Sequence, residues 1–259
     1  MQIIKGKQPG PPKILLYGTE GIGKSTFGAQ TPNAVFIQTE DGLGEIDCER
    51  FPLARSYADV YNYIGELYTE EHPYQTIVID SADWLEKLLW DKTCLSRGVK
   101  SIDDIGYQKG YLFVLPLWRE LLDGLDALRD QKNMMVVVLA HAKIEKFEDP
   151  LSKSYDRYAP RLHKHVMAMV SEWCSDILFA GYCYRIEKDG EGFNERNIAI
   201  PIGTDRVLRT VGGPACLAKN RHNLPEELPF PQGNAWDVLS RAMFGPNVKE
   251  IKEDGKNLV

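Results

Sequence analysis

Four short apolar runs mark the first 140 residues, and each stops at a glycine or a polar position. They are residues 13–17 (KILLY), 34–39 (AVFIQT), 76–80 (TIVID) and 134–140 (MMVVVLA). Continuous apolar runs of this length, bounded by turn signals, predict strands buried on both faces, as in a parallel sheet. Apolar positions at helical spacing lie between them, over 25–30, 57–68, 82–95 and 111–130. Strands alternating with helices predict an α/β fold, a mostly parallel central sheet flanked by helices.

The texture changes after Ala140. Residues 143–160 are polar without a clear period, which predicts a long loop. A helix is expected over 161–171. Runs 177–186 and 197–202, separated by a turn at Asp189-Gly190-Glu191-Gly192, predict a hairpin. Short strands are expected at 206–211 and 215–218. Pro225, Pro229 and Pro231 break the chain before a last helix over 235–244. The C-terminal part is thus an antiparallel extension of the sheet. The expected organisation is a lead-in over 1–12, one domain over 13–244, and a polar tail over 245–259 expected to be mobile.

Composition narrows the class. Hydrophobic residues at 43% and charged residues at 26% of 259 are ordinary for a globular chain. A net charge of −6 argues against coating nucleic acid by bulk charge, but not against a local basic groove. The charge is uneven: residues 1–130 carry 13 Lys and Arg against 20 Asp and Glu, and residues 131–259 carry 18 against 17. The five cysteines are an odd, widely spaced set without C-x-x-C, so neither a disulfide framework nor a zinc ribbon is expected. His163-x-His165, with Cys174 beyond, makes a weak metal motif. The N-terminus lacks a cleavable signal pattern, and the longest apolar stretch falls far short of the ~20 residues of a membrane helix. A soluble, cytoplasmic protein with no membrane partner is expected.

The first run leads into Gly18-Thr19-Glu20-Gly21-Ile22-Gly23-Lys24-Ser25, a match to G-x-x-x-x-G-K-[ST], followed by Thr26. Glycines let the backbone curl so that successive N–H groups face a phosphate. Residues 18–26 are the expected nucleotide-binding set, with Lys24 on the β- and γ-phosphates and Ser25 on Mg²⁺. Asp80 closes a buried strand and is the expected second metal residue, through a water; capping of the next helix by Asp80 or Ser81 is the alternative. Glu40 follows the second strand and, on the ligand-facing edge of a parallel sheet, is the candidate that activates water, with Asp41 its nearest competitor. His141 ends the fourth run at the same edge. It is either a γ-phosphate sensor or structural.

These strand-end features, in this order, resemble the RecA-type ATPase core. The chain is more closely similar to the phage-encoded AAA/RecA-core nucleotide-binding proteins associated with single-strand annealing and recombination. The likeness is carried by residues 18–25, 36–44 (FIQTEDGLG), 78–84 (VIDSADW), 104–111 (DIGYQKGY), 139–141, 155–158 (YDRY) and 218–221 (AKNR), and spans roughly 13–230. It implies a RecA-like P-loop NTPase core hydrolysing ATP with Mg²⁺. It implies a homo-oligomer, ring or filament, that binds single-stranded DNA, works beside a phage or host replication or recombination protein, and acts in the cytoplasm of a bacterial host. Lys219 and Arg221, two residues apart, would share one face at strand spacing. In RecA-like assemblies such a cationic pair reaches the neighbouring subunit's nucleotide, which would make both catalytic alongside Glu40, Lys24 and His141. RecA-type cores bind single strands through two loops, which correspond to part of 95–115 and to 143–165. Their cations Lys109, Lys143, Lys146, Arg157, Arg161 and Lys164 are the candidate DNA-binding residues, interleaved with aromatics that suit base stacking. An AAA-type remodelling ATPase, a P-loop kinase for a small metabolite and a nucleotide-gated binding protein are the competing readings.

Overall fold

A computed structural model describes residues 3–6, 10–106, 109–148, 153–189 and 196–245. The chain divides into two compact units, each assembled from separate stretches: 1–14, 32–138 and 162–174 form the first, and 15–31, 139–161 and 175–259 the second. The fold class is α/β, with a mostly parallel sheet, flanking helices and antiparallel strands toward the C-terminal end.

In the first unit, β2 (Ala34–Gln38), β3 (Glu49–Arg50) and β4 (Thr76–Asp80) pair in parallel. Ala34 stands opposite Thr76 and Gln38 opposite Asp80. The opening residues of β5 (Met135–Phe147) and β1 (Lys13–Gly18) complete the strand set. All five positions of β4 are buried, as its continuous apolar run requires. Helix α2 (Tyr57–Thr69) starts at Ser56, whose hydroxyl accepts from Asp59 N while the Asp59 carboxylate accepts from Ser56 N, a complete capping box. Helix α3 (Ala82–Arg97) stops at Gly98, φ 66°. A 3₁₀ turn (Ile102–Asp104) and α4 (Gly110–Phe113) precede α5 (Leu115–Lys132), where a single helix over 111–130 was expected. Pro116 opens α5, and Asn133, φ 55°, ends it. Helix α6 (Lys164–Trp173) begins three residues later than its pattern suggested. Ile79, Leu85, Trp118, Leu121, Leu125, Val138, Leu162 and Val170 bury the apolar faces of these elements together.

In the second unit, the rest of β1 leads into α1 (Lys24–Ala29). β7 (Asp176–Asp189) and β8 (Arg196–Arg209) form the expected hairpin, longer than its apolar runs, with β9 (Glu227–Pro229) antiparallel to β8. The glycine-rich turn at 190–192 lies outside the described residues, as do residues 246–259 of the tail. α7 (Ala235–Phe244) matches its expected span and packs on α1 through Phe27 and Trp236, ring centres 6.0 Å apart. Residues 215–218 form an isolated bridge, Tyr158 with Cys216, rather than a strand.

The long loop expected over 143–160 is a two-stranded ribbon. β5 runs on to Phe147 and pairs antiparallel with β6 (Tyr155–Pro160), Ala142 opposite Pro160 and Phe147 opposite Tyr155. The ribbon buries little, so it has no apolar periodicity to betray it. Cross-strand side-chain pairs hold it instead: Arg157 donates to Glu145 at 2.9 Å and 3.1 Å, and its guanidinium lies 3.9 Å from the centre of the Phe147 ring. No helix among the described residues is long and apolar enough to cross a membrane.

Candidate functional site

The phosphate loop belongs to the second unit. β1 ends at Gly18, where a Cβ would stand 2.4 Å from the Ala180 carbonyl oxygen, closer than real contacts allow. Gly21 (φ 71°) and Gly23 (φ 102°) adopt the left-handed region, which side chains strain to enter. Gly23 is the residue from which α1 starts. The curl carries Lys24 over the loop: its Nζ donates to Gly18 O at 3.2 Å and Thr19 O at 3.0 Å, and the side chain is buried. Thr19 Oγ1 is also buried and lacks a hydrogen-bond partner among the described residues. Arg206 of β8 donates from Nη1 to Ile22 O at 3.0 Å. Glu20 is exposed and stands 3.7 Å from Arg161, a separation worth little in solvent.

The strand-end acids belong to the first unit. Thr39, just past β2, binds the end of β4 three times. Its N–H donates to Asp80 O at 2.7 Å, its hydroxyl donates to Ser81 O at 2.8 Å, and Ser81 N donates to that hydroxyl at 2.9 Å. The Asp80–Ser81 peptide is cis. The stitch fixes where Asp80 and the residue after Thr39, Glu40, leave their strands. Asp80 is buried, Glu40 half-buried and Asp41 exposed. Ser81 is the N-cap residue of α3, yet its side chain makes no capping bond. Sequence reasoning missed Thr39, whose signal was only a polar β-branched residue at a strand tip.

Buried Glu86 of α3 was missed as well. Its carboxylate accepts the His163 N–H at 3.1 Å and 3.2 Å at the start of α6. The His163 ring stacks on Tyr111, centres 4.1 Å apart and planes within 5°. Residues of the two expected DNA loops therefore meet in the first unit, where Lys109 precedes α4 and Lys164 opens α6. Lys143, Lys146 and Arg157 lie on the ribbon of the second unit, and Arg161 follows it. His141 lies within β5 instead of ending it, and its carbonyl accepts from Arg161 N at 2.8 Å.

Lys219 and Arg221 do not share a strand face. Lys219 forms a two-residue bridge with Ile177, its N–H and carbonyl both bonded. Arg221 is already in a turn, because the Asn220 side chain accepts from His222 N at 3.1 Å and Leu224 N at 3.0 Å and so ends the extended stretch. Asp176, fully buried, anchors that turn. It accepts from Arg221 N at 3.0 Å and meets His222 Nδ1 at 2.6 Å. The Tyr17 hydroxyl joins β1 to the same region, donating to Leu217 O at 2.7 Å and Tyr158 O at 3.0 Å. Burial pushes the Tyr17 phenol far above its ordinary pKa, and the neighbouring Cys216 thiol adds to the rise. Among the described residues, no three His, Cys, Asp or Glu side chains gather as a metal cluster.

A family model described as an AAA domain matches residues 10–222. The SPbeta prophage-derived uncharacterized protein YorG of Bacillus subtilis (strain 168) is 25% identical over 175 residues, 64% of this chain and 49% of that protein. The chain thus spans about half the length of this curated relative. A crystal structure of the RadB recombinase is similar with a TM-score of 0.48 and 12% identity, over 86% of this chain and 90% of that one.

Proposed function

The chain belongs to the AAA-domain family, and from that premise we propose that it is a Mg²⁺-dependent ATPase that binds single-stranded DNA and promotes annealing or recombination as an oligomer. The phosphate loop carries the nucleotide reading: Gly21 and Gly23 both take left-handed backbone, and Lys24 folds across the loop. A curl of this kind fits a polyphosphate, and the orphaned Thr19 hydroxyl is a further polar group for such a ligand. Residues 18–26 are the proposed nucleotide-binding set. Lys24 is assigned to the β- and γ-phosphates and Glu40 to orienting the attacking water. His141 is assigned to sensing the γ-phosphate. Mg²⁺ is assigned to the oxygen donors Ser25 and Asp80, the ligand type a hard cation takes, and would neutralise charge on the phosphates.

Lys219 and Arg221 are proposed to act on the nucleotide of a neighbouring subunit. Buried Asp176 anchors the backbone of Arg221 and the bridge to Ile177 that of Lys219, which supports a fixed presentation of both cations. DNA contact is assigned to Lys109, Lys143, Lys146, Arg157, Arg161 and Lys164. The ribbon supports this reading by placing cations beside Phe147 and Tyr155 on paired strands. The prophage-derived relative supports a phage origin, with a phage or host replication or recombination protein as partner and the bacterial cytoplasm as location.

The deciding experiment measures phosphate release from ATP with and without single-stranded DNA, at low salt, for the protein and for Lys24→Ala. We expect stimulation by DNA and no turnover in the variant. Normal turnover in Lys24→Ala would remove the nucleotide reading. Absent stimulation together with absent DNA binding would remove the DNA reading alone.

A further inference from the structure

A loop that turns its N–H groups toward a phosphate turns its carbonyls the other way, and those carbonyls need donors. The Ile22 side chain is fully buried, and the carbonyl of Ile22 accepts from Arg206 Nη1 at 3.0 Å. The same nitrogen is the first atom that a Cβ on Gly23 would meet, also at 3.0 Å. The guanidinium therefore lies against the left-handed residue that turns the chain into α1 and delivers Lys24. Among the described residues, Ile22 O is its hydrogen-bond acceptor.

Arg206 is itself anchored through its backbone. It sits in β8 opposite Tyr182, and its carbonyl accepts from Phe230 N at 3.0 Å. The Phe230 ring packs against Phe27 of α1, centres 5.9 Å apart. One end of the contact is thus a sheet strand and the other the phosphate loop, with a shared aromatic contact beneath. A charged donor to a carbonyl is stronger than a neutral one, and an arginine reaches farther from its strand than a glutamine.

We infer that Arg206 is a positioning residue of the phosphate loop: by holding the Ile22 carbonyl it fixes the Ile22–Gly23 peptide in the orientation that receives a nucleoside triphosphate. It sets nucleotide affinity without touching the reacting atoms. The inference rests on the nucleotide reading above and goes beyond it by adding a residue far from the loop in sequence.

The test compares the unaltered protein, Arg206→Gln, Arg206→Lys and the control Lys24→Ala. Three quantities are read: dissociation constant for a fluorescent ATP analogue, steady-state kcat and KM, and melting temperature without nucleotide. Arg206→Gln should raise Kd and KM about tenfold, with kcat changed less than about threefold and melting temperature lowered by no more than about 4 °C. Arg206→Lys, which can still donate to the carbonyl, should recover most of the affinity. Equal affinity in Arg206→Gln and the unaltered protein would overturn the inference. So would a weaker affinity that comes with a larger drop in melting temperature and is not recovered by lysine. Failure of the unaltered protein to bind the analogue is a different result, and it overturns the nucleotide reading itself.

Discussion

At the scale of single residues, Tyr17 shows how one hydroxyl can serve two segments. It is fully buried and one position before Gly18, and its proton is shared between the carbonyls of Leu217 and Tyr158. Its pKa in the fold lies above that of the unfolded chain, so the neutral form is the one the fold favours. This contribution to stability is complete below the ordinary tyrosine value near ~10 and declines as pH rises beyond it. We expect the denaturant midpoint to fall between about pH 9 and pH 11. Tyr17→Phe should cost about 1–3 kcal/mol at neutral pH, because the Leu217 carbonyl loses its donor while the Tyr158 carbonyl keeps only Leu217 N, and should flatten the alkaline decline. The decline should not vanish, since burial and the Glu120 hydrogen bond raise Tyr57 as well. An identical alkaline profile in the variant would remove Tyr17 from the account. Glu40 is tested by its amide: Glu40→Gln should keep ATP binding and lose turnover by about 10²-fold or more, read by nucleotide titration beside phosphate release. An unchanged rate would leave Asp41 or another group as the base.

At the scale of elements, what the sequence disclosed follows what each element buries. β1, β2 and β4 were legible because their apolar runs are buried on both faces, and α7 because its apolar face covers Phe27. The glycine-rich turn over 18–25 was legible because Gly21 and Gly23 are required by backbone angle and Gly18 by its close approach to the Ala180 carbonyl. The ribbon was not, since Ile144 and Lys146 both face solvent and its bonds are cross-strand pairs such as Arg157 with Glu145. Two-residue β3 has no period to detect. The turn at 220–223 depends on Asn220 meeting backbone groups two and four residues on, a choice that sequence spacing alone leaves open. The ribbon carries its own prediction. Replacing Lys143 and Lys146 together by Glu should weaken single-stranded DNA binding and reduce the slope of log affinity against log salt by about 0.7 for each phosphate no longer neutralised. Fluorescence anisotropy over a salt series reads this; an unaltered slope would place DNA elsewhere.

At the scale of the whole molecule, a net charge of −6 would leave the proposed nucleic-acid contact to local cations, and residues 157–171 hold three of them without an acid. The proposed oligomer predicts complementation. Lys24→Ala and Lys219→Ala subunits should each be inactive alone. Mixed, they should recover part of the turnover, because a Lys24→Ala subunit can supply Lys219 to a neighbour's intact phosphate loop. Mixtures no more active than either parent would make Lys219 act within its own subunit or not at all. The interleaving of the two units bears on how the chain is made. The first unit needs residues up to 174, and the second needs 15–31 and 139–161 together with 175 onward. A ribosome must therefore deliver residue 174 before the first unit has all its strands and helices, and the second waits longer still. The two cannot form as successive blocks in the usual N-to-C order of domains. Early β1 must await partners that arrive late, so folding is governed by long-range closure. No single cut in the sequence frees either unit intact.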